Sequence, residues 1–76
     1  MNKILGILET IRPEYDFTAS RDFIADAMLD SFDMVTLVAT LDRTYQISID
    51  GVDIIPENFQ NLDTIIALLR KYGMQP

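Results

Sequence analysis

The stretch Met28-Leu29-Asp30-Ser31-Phe32-Asp33-Met34-Val35 opens the most strongly patterned helix in the chain, and the other segments fall into place around it. Aspartate favours a helix start, because the backbone N–H groups there lack partners and the helix dipole is positive at that end. Asp30 is the expected N-cap, which puts Ser31 at the first helical position and Asp33 in the first turn. The Ser31 hydroxyl should then face solvent, beside a helix end suited to a phosphate.

From Ser31 the helical pattern continues to about Thr44. At about 100° per residue, Met34, Leu37, Val38, Leu41 and Tyr45 share the side that faces a core. Asp33, Thr36, Thr40, Arg43 and Thr44 make a polar side. Phe32, Val35 and Ala39 lie between them, on an apolar flank separate from the core stripe. From pattern alone, that flank is expected to pack against the preceding connection rather than to dock a partner.

Upstream, Ile4, Ile7, Leu8 and Ile11 share one face of a first helix from about Asn2 to Ile11, with Leu5 at its margin. Arg12-Pro13 ends it, since a residue before proline is pushed out of the helical region. The connection from Glu14 to Asp30 is long, but Tyr15, Phe17, Phe23, Ile24, Met28 and Leu29 can pin it to a core. Ser20 is expected to cap a short turn through Arg21-Asp22-Phe23.

Downstream, Gln46-Ile47-Ser48-Ile49-Asp50 alternates like a strand but has no second strand to pair with, so it reads as an extended loop anchored by Ile47 and Ile49. Asp50-Gly51 signals a turn. Asp50, Asp53 and Glu57 lack the spacing of a calcium loop and are expected to form a solvated acidic loop. Pro56-Glu57-Asn58-Phe59 reads as one helical turn with proline at its first position. Asn61 caps a last helix that runs through Tyr72, with Leu62, Ile65, Ile66, Leu69 and Tyr72 as its buried stripe and Leu68 beside it. Arg70 and Lys71 suit its C-terminal dipole, and Gly73 stops it. The expectation is an all-α, small four-helix bundle, three main helices plus a short third one, forming a single domain over 1–76.

Composition narrows the chemistry. With no histidine and no cysteine, the chain lacks the usual neutral-pH base, a disulfide framework and a thiolate zinc site. A net charge of −6, from six basic and twelve acidic side chains, works against binding a nucleic-acid backbone and suits partners with basic patches. No apolar run approaches the roughly 20 residues of a membrane span, and the start has no signal-peptide pattern; the expected setting is a cytoplasmic monomer. Catalysis at Ser31 would need a base and oxyanion donors. Lys3 and Lys71 lie near the two ends of the chain with no motif tying them to it, and a helix start keeps Asp30 and Asp33 ionised. No catalytic residue and no metal ligand is expected. A serine that a separate enzyme modifies fits better.

Leu29-Asp30-Ser31-Phe32-Asp33-Met34-Val35, followed by Leu37-Val38 and Leu41, resembles the phosphopantetheine attachment motif of acyl carrier proteins. Tyr45-Gln46-Ile47-Ser48-Ile49, Pro56-Glu57-Asn58-Phe59, the length, the acidity and the helix order also resemble that family, so the likeness spans essentially the whole chain. It implies that Ser31 accepts 4′-phosphopantetheine from coenzyme A through a phosphodiester, placed there by a phosphopantetheinyl transferase. Asp30 and Asp33 would help the transferase's basic surface recognise the site. The thiol of the arm would carry an acyl or aminoacyl group, supplied by an activating ligase and passed to a downstream transferase or synthase. Phe32, Val35 and Ala39, with Thr36, match positions that partners contact, which favours docking for that flank.

Phe32 stands where leucine is usual, and the Asp-Ser-Phe triplet is similar to that of D-alanine carriers of teichoic-acid pathways. Thr36 and Arg43 stand where acids are common. The triplet is similar also to that of various stand-alone carriers in biosynthetic clusters, and the lower acidity sets a specialised carrier with its own ligase at least level with one serving the general fatty-acid synthase. A fatty acyl group, an amino acid and a polyketide-type unit all remain open as cargo. The competing readings are a helical interaction module indifferent to Ser31 and, remotely, a small serine enzyme.

Overall fold

A computed structural model describes residues 3–75. Three α-helices carry the fold: α1 (Lys3–Ile11), α2 (Ser31–Tyr45) and α3 (Leu62–Lys71). The Asn2 start expected for the first helix lies outside the described residues. Between the helices lie three short 3-10 turns, Phe17–Ala19, Gly51–Asp53 and Pro56–Asn58, and no strand occurs among the described residues. The expected short third helix is therefore the single turn at Pro56–Asn58, with its proline at the first position.

The apolar stripes meet as their spacing implies. Ile4 and Leu8 from α1, Leu37 and Leu41 from α2, and Ile65 and Leu69 from α3 are fully buried together. Each such side chain contributes about 1.5–3 kcal/mol relative to an exposed one. α1 packs on α2, and α3 packs on the Pro56–Asn58 turn.

The long first connection is pinned by aromatic side chains. Phe17 and Phe23 are buried edge to face, with ring centres 5.0 Å apart. The Phe23 N–H donates to the Gln60 carbonyl at 2.6 Å, and the Phe23 carbonyl accepts from Met28 N–H at 2.8 Å. The first contact ties the connection to the segment that leads into α3. The second folds its own end back toward α2. Asp16 caps the Phe17–Ala19 turn, which sequence reading did not anticipate. The expected Ser20 cap is shared with another residue. Ser20 Oγ accepts from Asp22 N–H at 3.2 Å, while the Asp22 carboxylate caps the next turn through Ile24 N–H at 3.1 Å and Ala25 N–H at 3.0 Å.

Helix ends follow local chemistry. α3 stops in a Schellman arrangement: Gly73 has φ +83°, Met74 N–H reaches the Leu69 carbonyl and Gly73 N–H reaches the Arg70 carbonyl. α2 runs one residue past Thr44, to Tyr45, and Gln46 takes the left-handed position at φ 55°. Asp42 then holds the following segment, accepting from Ile47 N–H with its carbonyl and from Ile49 N–H with its carboxylate. Ile49 is buried and Ile47 half-buried, so both anchor the extended loop as expected.

Two expectations fail. Asp33 and Asp53, read as members of a polar helix side and a solvated loop, are each only 8% exposed. Each is bound by a cation distant in sequence, which no local pattern reveals. The flank of α2 also departs from the reading by pattern alone: Phe32, Val35 and Ala39 are exposed and do not pack against the connection.

Candidate functional site

Asp30 is extended at φ −114° and ψ −174°, and its carboxylate accepts from the Asp33 N–H at 2.9 Å. The Asp33 carboxylate returns the bond, accepting from the Asp30 N–H at 3.1 Å. This reciprocal capping box satisfies two of the free donors at the helix start. Ser31 sits inside that ring at the first position of α2. It is exposed, and among the described residues its hydroxyl makes no hydrogen bond.

Arg12, one residue past α1, closes the ring from outside. Its Nε donates to Asp33 Oδ2 at 2.9 Å, and its Nη2 lies 2.9 Å from the same oxygen and 3.5 Å from Asp30 Oδ2. Glu14 approaches the remaining Nη1 at 3.5 Å. The Asp33 backbone N–H holds the Asp30 carboxyl below its ordinary value, and Arg12 adds to the effect. The hydrogen bond and charge of Asp33 raise the Arg12 guanidinium further still.

Sequence reading placed Asp30 as N-cap and Asp33 in the first turn, and the structure brings both to Ser31. It missed Arg12. The Asp-x-x-Asp spacing was the available signal for a reciprocal cap, but nothing local pointed to a cation 21 residues earlier. Around the ring, Phe32 is 82% and Val35 61% exposed, with Thr36 and Ala39 also open to solvent. Sequence reading also missed Val52 and Ile55, two further exposed apolar side chains beside the Gly51–Asp53 turn.

Neither lysine weighed as a base is seen beside the serine. Lys3 Nζ lies 5.6 Å from the Tyr45 ring centre, at the far end of α2, about 20 Å away by helical rise. Lys71 is paired with Asp53 at 2.7 Å. No cluster of metal-ligating side chains occurs among the described residues, and no helix there is long and apolar enough to cross a membrane. An open cleft of about 510 Å³ lies between the first connection and the start of α3, over Phe17, Phe23, Arg21 and Leu62; none of the expected site residues lines it.

The geometry offers an exposed hydroxyl on a braced helix head. No curated protein and no solved structure matches the chain. A family model described as phosphopantetheine attachment site matches residues 2–69. The chain therefore belongs to the phosphopantetheine attachment site family, whose members are non-catalytic carriers bearing a covalent 4′-phosphopantetheine group.

Proposed function

We infer that Ser31 is the residue that bears the arm, and that the chain carries an acyl or aminoacyl group as one carrier unit. The observation that carries this reading is the Ser31 hydroxyl: exposed, unbonded among the described residues, and held at the first position of α2 by the capping box. The residues present fit the group. The helix end tolerates a phosphodiester, since the N–H donors and dipole there favour negative charge. In attachment, Ser31 Oγ forms the new P–O bond, its proton passes to a base on the transferase, and the pyrophosphate link of coenzyme A breaks to release the adenosine bisphosphate. When bound, the group supplies a thiol that holds cargo as a thioester, a function this cysteine-free chain otherwise lacks.

Partners meet the exposed flank of Phe32, Val35, Thr36 and Ala39, with Asp30 as the open acid at its edge. These partners are the transferase, an activating ligase and a downstream transferase or synthase. The apolar flank favours a specialised set of partners over those that dock on acidic helices. Incubation with coenzyme A and a broad-specificity transferase should add the mass of one phosphopantetheine to the wild-type protein. Ser31→Ala should add none and keep its helical circular dichroism. A wild type that stays unmodified, or a Ser31→Ala variant that still gains the mass, overturns the assignment.

A further inference from the structure

The geometry points to Arg12 as a positioning residue for the modification of Ser31: it locks the Asp30–Asp33 ring that fixes the backbone from which the hydroxyl projects. This rests on Ser31 as the attachment residue. The Ser31 hydroxyl makes no bond of its own among the described residues, so the structure fixes the backbone from which it projects and leaves the side chain to turn about χ1. That backbone is gripped on both sides, by Asp30 before it and Asp33 after it, each accepting the other's N–H. Asp33 Oδ2 is the hub. It takes the Asp30 N–H and both Arg12 Nε and Nη2, so one guanidinium holds the acceptor on which the ring turns.

Arg12 is itself fixed. Its N–H donates to the Leu8 carbonyl at 2.9 Å, and Pro13 keeps the chain from continuing the helix. The head of α2 is thereby braced against the end of α1 rather than free to fray. A reacting hydroxyl carried on a fixed backbone has fewer positions to search than one on a fraying helix end, and reacts faster for it.

The same geometry changes the part played by Asp33. Its side chain is 11% exposed, against 58% for Asp30, and its charge is spent on Arg12. A partner's basic surface meets Asp30; Asp33 acts through the ring. Loss of Arg12 would leave the Asp33 carboxylate without its cation, whereas loss of both charges would leave a neutral acceptor for the Asp30 N–H.

Steady-state phosphopantetheinylation by a broad-specificity transferase tests this, followed by intact mass. The chains are wild type, Arg12→Gln, Arg12→Lys, Asp33→Asn and the Arg12→Gln/Asp33→Asn pair, assayed where circular dichroism shows each folded. Arg12→Gln should lose on the order of tenfold in kcat/KM, chiefly in kcat. Arg12→Lys should recover part of that loss. The double variant should be faster than Arg12→Gln alone. Asp33→Asn should leave both KM and the dependence on ionic strength as in wild type. If Arg12→Gln is modified at the wild-type rate, or the double loss is the product of the single losses, the positioning role is wrong. It is equally wrong if Asp33→Asn raises KM and flattens the salt dependence, because a partner would then be reading that charge directly. A wild type that accepts no arm sinks the Ser31 assignment and this inference with it; a modified wild type with an indifferent Arg12→Gln sinks this inference alone.

Discussion

Asp33 and Asp53 are equally buried, yet the molecule holds them in different ways. Asp33 gathers its partners on one oxygen: Arg12 Nε, Arg12 Nη2 and the Asp30 N–H all converge on Oδ2. Asp53 divides its partners between two. Lys71 Nζ takes Oδ1 at 2.7 Å, and the Tyr72 hydroxyl donates to Oδ2. That same hydroxyl accepts the Asp50 N–H at 2.8 Å, and the Asp53 carbonyl accepts from Asn58 Nδ2 at 2.8 Å. One cluster braces a helix head through a single cation. The other ties a loop to the end of α3 through several independent bonds. Each stands beside exposed apolar side chains, Phe32 and Val35 in the first case, Val52 and Ile55 in the second. A buried acid is therefore a brace in both places, but the first rests on a half-buried guanidinium and the second on a mostly exposed ammonium.

The sharpest way to break this comparison is to remove each cation. Each aspartate would keep one neutral donor, the Asp30 N–H for Asp33 and the Tyr72 hydroxyl for Asp53, but Arg12→Met removes two nitrogens of a half-buried cation and Lys71→Met one nitrogen of an exposed one. Thermal unfolding should show the larger loss for Arg12→Met, about 5–10 °C in Tm, with Lys71→Met losing roughly half as much. The reverse order would mean that the exposed ammonium carries more of the load than the half-buried guanidinium.

These two clusters also mark where sequence reading ran out. The apolar positions of all three helices were legible, because a periodic stripe such as Met34, Leu37, Val38, Leu41 has one way to be buried. The caps Asp30 and Asn61 were legible too, since capping is chemistry within four residues. The buried aspartates were not. An acid on the polar side of a helix, or in an acidic loop, looks solvated unless the distant cation is known, and Arg12 and Lys71 lie 21 and 18 residues away. The flank was ambiguous for the same reason. Whether Phe32 and Val35 meet the first connection depends on where Phe17 and Phe23 pull that connection, and they pull it toward Gln60. The candidate serine was legible from its place at the helix head; the arginine that braces it was not.

Titration separates the clusters by pH. Asp30 in the first and Asp53 in the second both have carboxyl groups held below their ordinary value, by the Asp33 N–H in one case and by Lys71 and Tyr72 in the other. Each contributes stability above the unfolded carboxylate pKa of about 3.9, lost as pH falls through the lower folded value. Both clusters therefore weaken on the acid side. The alkaline side belongs to the second. Hydrogen bonding to Asp53 raises Lys71 and Tyr72 above their ordinary values of 10.5 and 10.0. Their contribution is complete below those values and is lost as pH rises through the folded ones. Tm measured against pH should fall on both sides in the wild type. Lys71→Met/Tyr72→Phe should flatten the alkaline fall and keep the Asp30 part of the acid one. An alkaline fall unchanged in that variant would mean that other groups cause it.

The smallest change tests whether the two braces act independently. Tyr72→Phe keeps the ring that packs on the core but deletes one hydroxyl, and with it both the donor to Asp53 and the acceptor for the Asp50 N–H. Lys71 still neutralises Asp53, so the cost should stay at about 1–4 °C in Tm. Local opening is the better measure, because a loop can loosen without the whole chain unfolding. Amide exchange should quicken at Asp50, Val52 and Asp53 and stay unchanged at Asp33 and Met34, whose N–H groups both donate to Asp30 instead. Equal quickening at both places would make the two clusters one cooperative unit. A change confined to the loop would mean that the surface around Val52 and Ile55 can be loosened while the serine's own mounting stays rigid.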